Sequence, residues 1–303
     1  MKIIISTLLF LTLCITNKAQ NQSFEIKENT KVDTASNFHS ISGINAASGL
    51  LFQNDKLYVI SDNSNYLYIS SIQKNQLEKR ILIKSKIKDN LPKKIKSDFE
   101  SITSDKDYLY IFGSGSSPKR QSLIKWDKIN NTTKKFSLKK LYSSLKKRFD
   151  VSNEDFNIEG ALILNDELWL FNRGNGPSKK NGIFIVDNIQ HNIKSFHPIP
   201  LGELNNVALG FTDAIIYKGT IYFLAAAEGV SSTYHDGEIQ GTILGQIDSS
   251  TKQLKCTNII SKNNKFEGIT LYKENLDSLE FLLCEDPDNN QNNSTIYHIK
   301  IKK

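Results

Sequence analysis

The chain has 303 residues, of which 39% are hydrophobic and 23% charged, and its formal net charge at pH 7 is +7. A chain of this length can bury a large core, as one large β domain or as two ordinary ones. A basic balance can indicate binding to nucleic acid or to an anionic surface. The lysines are scattered, however, and form no basic face interleaved with aromatic residues, so we expect no nucleic-acid partner.

Residues 1–20 have the order of a signal peptide. Lys2 gives a positive start, residues 3–15 are largely apolar, and a polar end follows. The apolar run is too short for a transmembrane span, which needs about 20 apolar residues. We therefore expect cleavage near Ala19 or Gln20, export to the periplasm or beyond the cell, and no membrane span. Residues 21–303 are then expected to form a single β-propeller domain.

A short pattern returns five times along the rest of the chain. Its copies are 52, 59, 53 and 55 residues apart and begin at Ser48, Glu100, Glu159, Thr212 and Glu267. In four copies a strand-like stretch starts nine residues later, as in Leu57-Tyr-Val-Ile. A repeat of this kind decides the fold, and the chain has room for about five units of this length.

Each unit reads as strand, turn, strand, loop, strand, turn, strand, which predicts an all-β, five-bladed β-propeller. The fifth unit lacks its fourth strand. We expect the strand-like segment Phe24–Val32 to supply it, so that both termini close the ring and no sheet edge stays open. Six blades are the alternative, but they would need one more copy of the pattern. One helix is predicted, over residues 139–149, where Leu141, Leu145 and Phe149 recur at helical spacing.

The repeated carboxylates predict a site at one mouth of the central channel. In a propeller blade the start of the first strand and the end of the second lie on the same face. Acidic side chains gathered there need a cation or protonated members, and oxygen ligands suit Ca²⁺, the cofactor that we expect. The predicted metal ligands are Asp62, Glu100, Glu159, Asp213, Glu267, Glu285 and Asp286. Alternatively, each carboxylate bonds backbone amides of the next blade.

The loops of the same face differ in charge. Cationic side chains in the loops of units two and three, with backbone amides around them, are groups that hold phosphate or carboxylate. An acidic sector beside a basic sector predicts a small anionic or glycan-type ligand at the channel mouth. The predicted ligand-binding residues are Lys119, Arg120, Arg173 and Glu228.

Three copies of the pattern carry a resemblance to a known group of proteins. Asp98–Ile102, Asn157–Ala161 and Lys265–Ile269 resemble the Phe-Glu-Gly-Ile repeats of secreted bacterial phytase-like and SdiA-regulated-type propellers. The resemblance implies a propeller with Ca²⁺ in or near the channel and, in the phytases, phosphoester hydrolysis. Ser48 and Thr212 depart from it, because the glutamate is replaced there.

Three functions stay open at this point. The first is an exported, Ca²⁺-stabilised propeller that binds its ligand without chemistry, since the sequence shows no nucleophile–base pair. The second is a metal-dependent hydrolase of phosphate esters or lactones, in which Glu159 or Glu267 is the general base. The third is a protein-interaction scaffold.

Overall fold

The chain forms five antiparallel sheets, each one blade of a β-propeller. The structure, a computed structural model, describes residues 32–74, 76–187, 192–229, 237–286 and 292–303. The innermost strand of each blade contacts the innermost strand of the next, and that of the fifth blade contacts that of the first. The ring is therefore closed, and the prediction of five blades rather than six is confirmed.

The strands are numbered in chain order, and the first of them, β1 (Ser36–Ser42), belongs to the last blade. Blade 1 contains β2 (Ala47–Gln53), β3 (Lys56–Ser61), β4 (Tyr66–Ser71) and β5 (Gln76–Ile81). Blade 2 contains β6 (Phe99–Ser104), β7 (Tyr108–Gly113), β8 (Ser122–Asp127) and β9 (Thr132–Ser137). A short 3₁₀ turn, Pro118–Arg120, precedes β8, and the predicted helix, α1 (Lys139–Phe149), follows β9.

Blades 3 to 5 complete the ring. Blade 3 contains β10 (Ile158–Leu164), β11 (Glu167–Asn172), β12 (Gly182–Val186) and β13 (Ile193–Pro198). Blade 4 contains β14 (Glu203–Leu204), β15 (Val207–Tyr217), β16 (Thr220–Glu228), β17 (Ile239–Asp248) and β18 (Leu254–Ser261). Blade 5 contains β19 (Phe266–Glu274), β20 (Ser278–Glu285) and β21 (Asn293–Lys302), with β1 as its outer strand.

The core lies between neighbouring blades, because each sheet buries both of its faces against the next one. Between blades 3 and 4, for example, the Phe171 and Phe211 rings meet edge to face with centroids 5.2 Å apart, and Phe211 meets Phe223 at 5.0 Å. Gly245 allows this packing, since a Cβ there would lie 2.1 Å from the Phe223 ring. Aromatic contacts of this geometry stabilise cores beyond their buried area.

All five innermost strands carry the same irregularity. The register between the first and second strand of each blade shifts by one residue near the start of the first strand, which is the mark of a β-bulge. The residues left without a register partner are Ser48, Glu100, Glu159, Thr212 and Glu267. The sequence repeat is thus a repeated bulge, and bulges re-aim side chains next to functional sites.

Two predicted boundaries need correction. The N-terminal strand that closes blade 5 is Ser36–Ser42, not Phe24–Val32. Of the predicted segment only Val32 is described, and it forms a single bridge to Ile301. The copy of the pattern at Thr212 predicts that the first strand of blade 4 begins at Asp213. The strand begins at Val207 instead, because the short hairpin with β14 extends it.

The leader lies outside the residues that the structure describes. Within those residues, no helix has the length and apolar character that a membrane crossing requires.

Removing residues 1–42 tests the closure of the ring. The truncation deletes β1, whose Ile41 is 3% exposed, and leaves the edge of β21 unpaired, so the chain should lose stability and self-associate. We expect the melting temperature to fall by about 10 °C and light scattering to increase. A matched truncation of residues 1–31 keeps β1 and should melt like the parent chain. Equal melting temperatures for both truncations would contradict this account of closure.

Candidate functional site

The bulges bring three glutamates to the channel axis. Glu100, Glu159 and Glu267 come from blades 2, 3 and 5, yet they lie within electrostatic range of one another. Burial first, and then the neighbouring carboxylates, raise the pKa of Glu100 well above its usual value. The glutamates that the sequence repeat singled out therefore share one site.

In the two blades without a glutamate, the bulge residue has a structural task. The Ser48 hydroxyl donates to the backbone carbonyl of Phe99, and the Thr212 hydroxyl donates to that of Phe266 over 2.7 Å. Each accepting residue directly precedes a bulged glutamate, Glu100 or Glu267. The hydroxyls therefore fix the backbone from which these glutamates project.

Three carboxylates form the acidic sector between blades 1 and 2. Oxygen atoms of Asp62, Asp98 and Glu100 all lie within 4.8 Å of one another. Asp98 holds a left-handed backbone conformation with φ of 54°, which is uncommon outside glycine and recurs at functional sites. Its backbone amide donates to the carbonyl of Asp62, and its carbonyl accepts from the amide of Ser114.

Two cations are built into this sector. The Lys96 ammonium pairs with both Asp62 and Asp98, and lies 2.9 Å from Asp98 Oδ1. The Arg120 guanidinium lies 2.9 Å from Asp98 Oδ2. Burial opposes the charge of Lys96, but the carboxylates of Asp98 and Asp62 prevail and raise its pKa. Glu100 has no such ion pair among the residues that the structure describes.

Arg173 organises the opposite sector, between blades 3, 4 and 5. Its Nη2 donates to Glu228 over 2.6 Å, and its Nη1 lies 3.4 Å from Glu159 Oε1. Lys265 extends the network, with its ammonium 3.3 Å from Glu228 and 2.8 Å from Glu267. The side chains in these pairs are at most 9% exposed, so their charges act on one another with little screening.

The two carboxyl groups that contact Arg173 have very different pKa values. Burial, only partly offset by Arg173, raises the pKa of Glu159 to about 7. Glu228 is also penalised by burial, but Arg173, Lys265 and the Gly237 amide outweigh that and lower its pKa to about 2. A carboxyl group that exchanges its proton near neutral pH beside one that stays ionised is the arrangement from which enzymes build acid–base pairs.

We call this group of side chains the mouth cluster. Its acids outnumber its bases, so the cluster carries a net negative charge when all its members are ionised. The acidic members are Asp62, Asp98, Glu100, Glu159, Glu228 and Glu267, and the basic members are Lys96, Arg120, Arg173 and Lys265.

Some predicted metal ligands have other partners. Both oxygens of Asp213 accept backbone amides, from Ala214 at 2.8 Å and from Ile269 of the next blade at 2.9 Å. This is the interblade role that the alternative interpretation gave to all of the carboxylates. Glu285 accepts from the side chains of Asn264 and Tyr297. Asp286 is 9% exposed and follows β20 directly.

The predicted anion-binding residues are separated in the structure. Arg120 and Arg173 are both buried and paired with carboxylates of the mouth cluster. Lys119 is exposed, and its ammonium donates to the backbone carbonyl of Lys94 over 3.2 Å. The guanidinium groups that we expected to bind an anionic ligand therefore form ion pairs with carboxylates of the protein itself.

Four members of the site were missed by sequence reasoning: Lys96, Asp98, Asn157 and Lys265. Three of them, Asp98, Asn157 and Lys265, lie two residues before a bulged glutamate, inside the repeated motifs Asp98–Ile102, Asn157–Ala161 and Lys265–Ile269. The Asn157 amide donates to Glu159 Oε1 over 2.6 Å, as Lys265 pairs with Glu267. The signal was the shared spacing, because residues on both sides of a bulge can face the same way.

A cavity of about 420 Å³ opens beside Arg173 and Glu228, between blades 3 and 4. Its volume lies in the range of roughly 300–1,000 Å³ that is usual for small-molecule pockets. Carboxamides and glycine backbone line one part of it, and a short apolar stretch, Val207–Leu209, lines another. The Asn175 amide nitrogen and the Asn206 side chain make no hydrogen bond as donors among the described residues.

A sequence-family model, the family of unknown function DUF6929, matches residues 43–301. No curated protein sequence matches this chain significantly.

Several solved structures share the fold at low sequence identity. A glutaminyl cyclase of Myxococcus xanthus is 12% identical with a TM-score of 0.50, over 88% of this chain and 97% of that one. A GH43 β-1,3-galactosidase is 10% identical with a TM-score of 0.54, over 89% of this chain and 60% of that one. An exo-1,5-α-L-arabinanase from a bovine ruminal metagenomic library is 11% identical with a TM-score of 0.51, over 84% and 93%. At this identity the similarity shows the propeller fold alone.

The raised pKa of Glu159 predicts how stability depends on pH. The folded state binds a proton at about pH 7, whereas an unfolded glutamate binds one near 4.3. Stability should therefore rise as the pH falls through this window, by at most about 4 kcal/mol from this group. Thermal unfolding at pH 8 and pH 5 should give a higher melting temperature at pH 5.

Glu159→Gln and Glu228→Gln form a matched pair for this test. Glutamine resembles the protonated carboxyl group, so Glu159→Gln should weaken the pH dependence and stabilise the protein at pH 8. Glu228→Gln should destabilise it at pH 8, because it removes an ionised partner from buried Arg173 and Lys265. The same sign for both substitutions would contradict the assigned charges.

Proposed function

The chain belongs to DUF6929, a family of unknown function, and from its own site we propose that it binds a small, uncharged glycan-type ligand at the channel mouth. The ligand occupies the cavity between blades 3 and 4, against the Arg173–Glu228 ion pair. One observation carries the proposal: the buried cations of the mouth cluster are paired with carboxylates of the protein itself.

The charge balance disfavours an anion at the channel axis. A phosphate or carboxylate ligand could enter in two ways. It would have to separate Arg173 Nη2 from Glu228 Oε2, which are 2.6 Å apart, or lie beside Glu100, which has no ion pair among the described residues. The first change removes Arg173 from a buried carboxylate, which costs several kcal/mol, and the second places two negative charges side by side. A neutral polar ligand avoids this cost, because its hydroxyls can donate to carboxylate oxygens that the ion pairs leave available.

The cavity lining suits a sugar. The Asn175 amide nitrogen can donate to hydroxyl groups, and the apolar surface of Val207–Leu209 can pack against the C–H face of a ring. Few polar groups at defined places in a mostly apolar recess are typical of small-molecule sites. Glycan-processing enzymes occur among the proteins with this fold, so glycans are the natural first ligands to screen.

Hydrolysis is the second candidate, and the acidity of Glu159 favours it. A buried carboxyl group with a pKa of about 7 can give or take a proton at neutral pH, while ionised Glu228 stabilises positive charge that develops nearby. In this reading Glu159 is the general acid or base, and Glu267, which shares Lys265 with Glu228, is the second carboxylate. Lactones and phosphate esters stay in the screen as alternative substrates.

Calcium binding is a further part of the proposal. The Asp62 Oδ1 atom is buried and accepts no hydrogen bond within the described residues. Glu100 lies beside it and, in the same part of the chain, forms no ion pair. Three carboxylates within 4.8 Å of one another fit a Ca²⁺ ion, which takes oxygen ligands at about 2.3–2.6 Å. Asp62, Asp98 and Glu100 would hold the ion, and it would add positive charge next to Lys96.

Calorimetric titration tests the ligand class. Neutral galacto- and arabino-disaccharides are expected to bind, and phytate is expected not to bind. Asn175→Ala should weaken binding by about tenfold, since a lost ligand hydrogen bond costs roughly 1–1.5 kcal/mol, whereas Asn130→Ala, on a distant turn, should leave it unchanged. Tight binding of phytate without a neutral sugar would overturn the proposal.

A hydrolase assay separates binding from chemistry. Nitrophenyl glycosides, p-nitrophenyl phosphate and a lactone are incubated with the parent chain and with Glu159→Gln. If Glu159 transfers the proton, the substitution should reduce turnover by a factor of about 10²–10⁴ while disaccharide binding persists. Sugar binding without turnover above the Glu159→Gln background would remove the hydrolase candidate and keep the binding function.

Thermal unfolding with Ca²⁺ and with EDTA tests the metal. Ca²⁺ at 100 times its dissociation constant should add about 2.7 kcal/mol to the free energy of unfolding. Glu100→Gln should abolish the shift, whereas Glu285→Gln, at a carboxylate bound to Asn264 and Tyr297, should preserve it. A melting temperature that neither Ca²⁺ nor EDTA moves would argue against the ion.

Export of the chain stays a prediction, and fractionation of cells that express it would test that.

A further inference from the structure

A second and larger cavity lies on the same face, beside blade 2, and its lining shares no residue with the mouth cluster. It measures about 820 Å³ and is bounded by the linker between blades 1 and 2 and by the outer strands of blade 2. We infer that this cavity binds an amphipathic anion, an alkyl chain that ends in a carboxylate, and that this site is separate from the glycan site at the channel mouth.

The lining of this cavity is apolar on the linker side. Leu91 is 6% exposed and forms the floor, while Ile87 and Ile95 on the rim are 50% and 47% exposed. Phe136 of β9 faces them across the cavity. Large apolar side chains at this exposure, grouped around one cavity, indicate a surface that an apolar partner covers.

The charged residues of the lining all have the same sign. Lys86, Lys119 and Lys135 line the cavity, and no carboxylate does so among the described residues. Neither Lys86 nor Lys135 has an ion-pair partner in the part of the chain that the structure describes. This contrasts with the mouth cluster, where carboxylates pair with every cation, and the charge here complements an anionic head group.

A buried hydroxyl adds a polar anchor. Ser122 lines the cavity and is 3% exposed, and its Oγ has no hydrogen-bond partner among the described residues. Buried hydroxyls are rarely left unpaired, because the loss of water must be compensated. If the side chain turns into the cavity, a head-group oxygen that accepts from Ser122 would satisfy it.

The combination fixes the ligand class. Apolar rim residues favour an alkyl chain, and lysines without an ion pair among the described residues favour a negative head group. The open recess, at about 820 Å³, has room for a single molecule of this kind. Of the cations that the sequence predicted for anion binding, Lys119 is the one without a carboxylate partner in the described part of the chain, and it lies here. Anion recognition thus belongs to this cavity, not to the channel mouth.

Decanoate, titrated below its critical micelle concentration, is the probe. We expect it to bind at one site per chain, while acetate, decyl maltoside and decyltrimethylammonium bind much more weakly. The double variant Lys86→Gln/Lys135→Gln should weaken decanoate binding by about tenfold. Lys140→Gln/Lys147→Gln, with the same charge change on α1, should leave it unchanged. Ile87→Ser/Ile95→Ser should also weaken it, and disaccharide binding should survive in every variant.

Three results would overturn the inference. The first is no decanoate binding, and the second is equal binding of the cationic and anionic amphiphiles. The third is binding that neither double variant in the cavity reduces. Attachment to anionic vesicles that dispersed decanoate does not displace would also count against a single-molecule site. None of these results bears on disaccharide binding at the channel mouth, so the two proposals stand or fall separately.

Discussion

A repeated β-bulge is the constraint on which the channel mouth depends. In each blade one extra residue is inserted near the start of the innermost strand. A regular strand would alternate its side chains between the two faces of the blade, and a bulge instead turns the inserted residue toward the axis. Five-fold repetition of that local distortion gathers side chains from distant parts of the sequence into one place.

This arrangement places several carboxylates close together, and cations of the protein itself offset their repulsion. Carboxylates brought close together in a poorly hydrated channel repel one another, and their charged forms are penalised by burial. Lys96, Arg120, Arg173 and Lys265 offset part of this cost. The compensation is uneven, so Glu228 stays ionised while protonation of Glu159 shifts toward neutral pH. Because the cations do not fully compensate the buried carboxylates, the cluster costs folding free energy. The same incomplete compensation allows Glu159 to exchange a proton near neutral pH.

Much of the fold could be predicted from the sequence, because a propeller repeats its hydrophobic pattern with a constant period. The strand-like stretches predicted nine residues after the first four copies of the pattern, such as the one at Leu57, lie in observed strands such as Lys56–Ser61. The closing strand was placed too early in the chain, because Phe24–Val32 and Ser36–Ser42 both look like strands. The observed outer strand is Ser36–Ser42, and residues 24–31 lie outside the described part of the chain. In the site, the glutamates followed from the repeat, but their cationic partners did not. The pairing of Arg173 with Glu159 and Glu228 depends on loop conformations that no local pattern encodes.

The pKa of Glu159 tests the central claim most directly. Carboxyl ¹³C chemical shifts of labelled glutamate, followed from pH 3 to pH 9 and assigned with Glu159→Gln, report this value for the folded protein. The account predicts a midpoint close to pH 7, as expected for a buried carboxyl group among other carboxylates. A midpoint near 4.3, the value of a glutamate in open water, would mean that the bulges do not gather these side chains in a shared, poorly hydrated site.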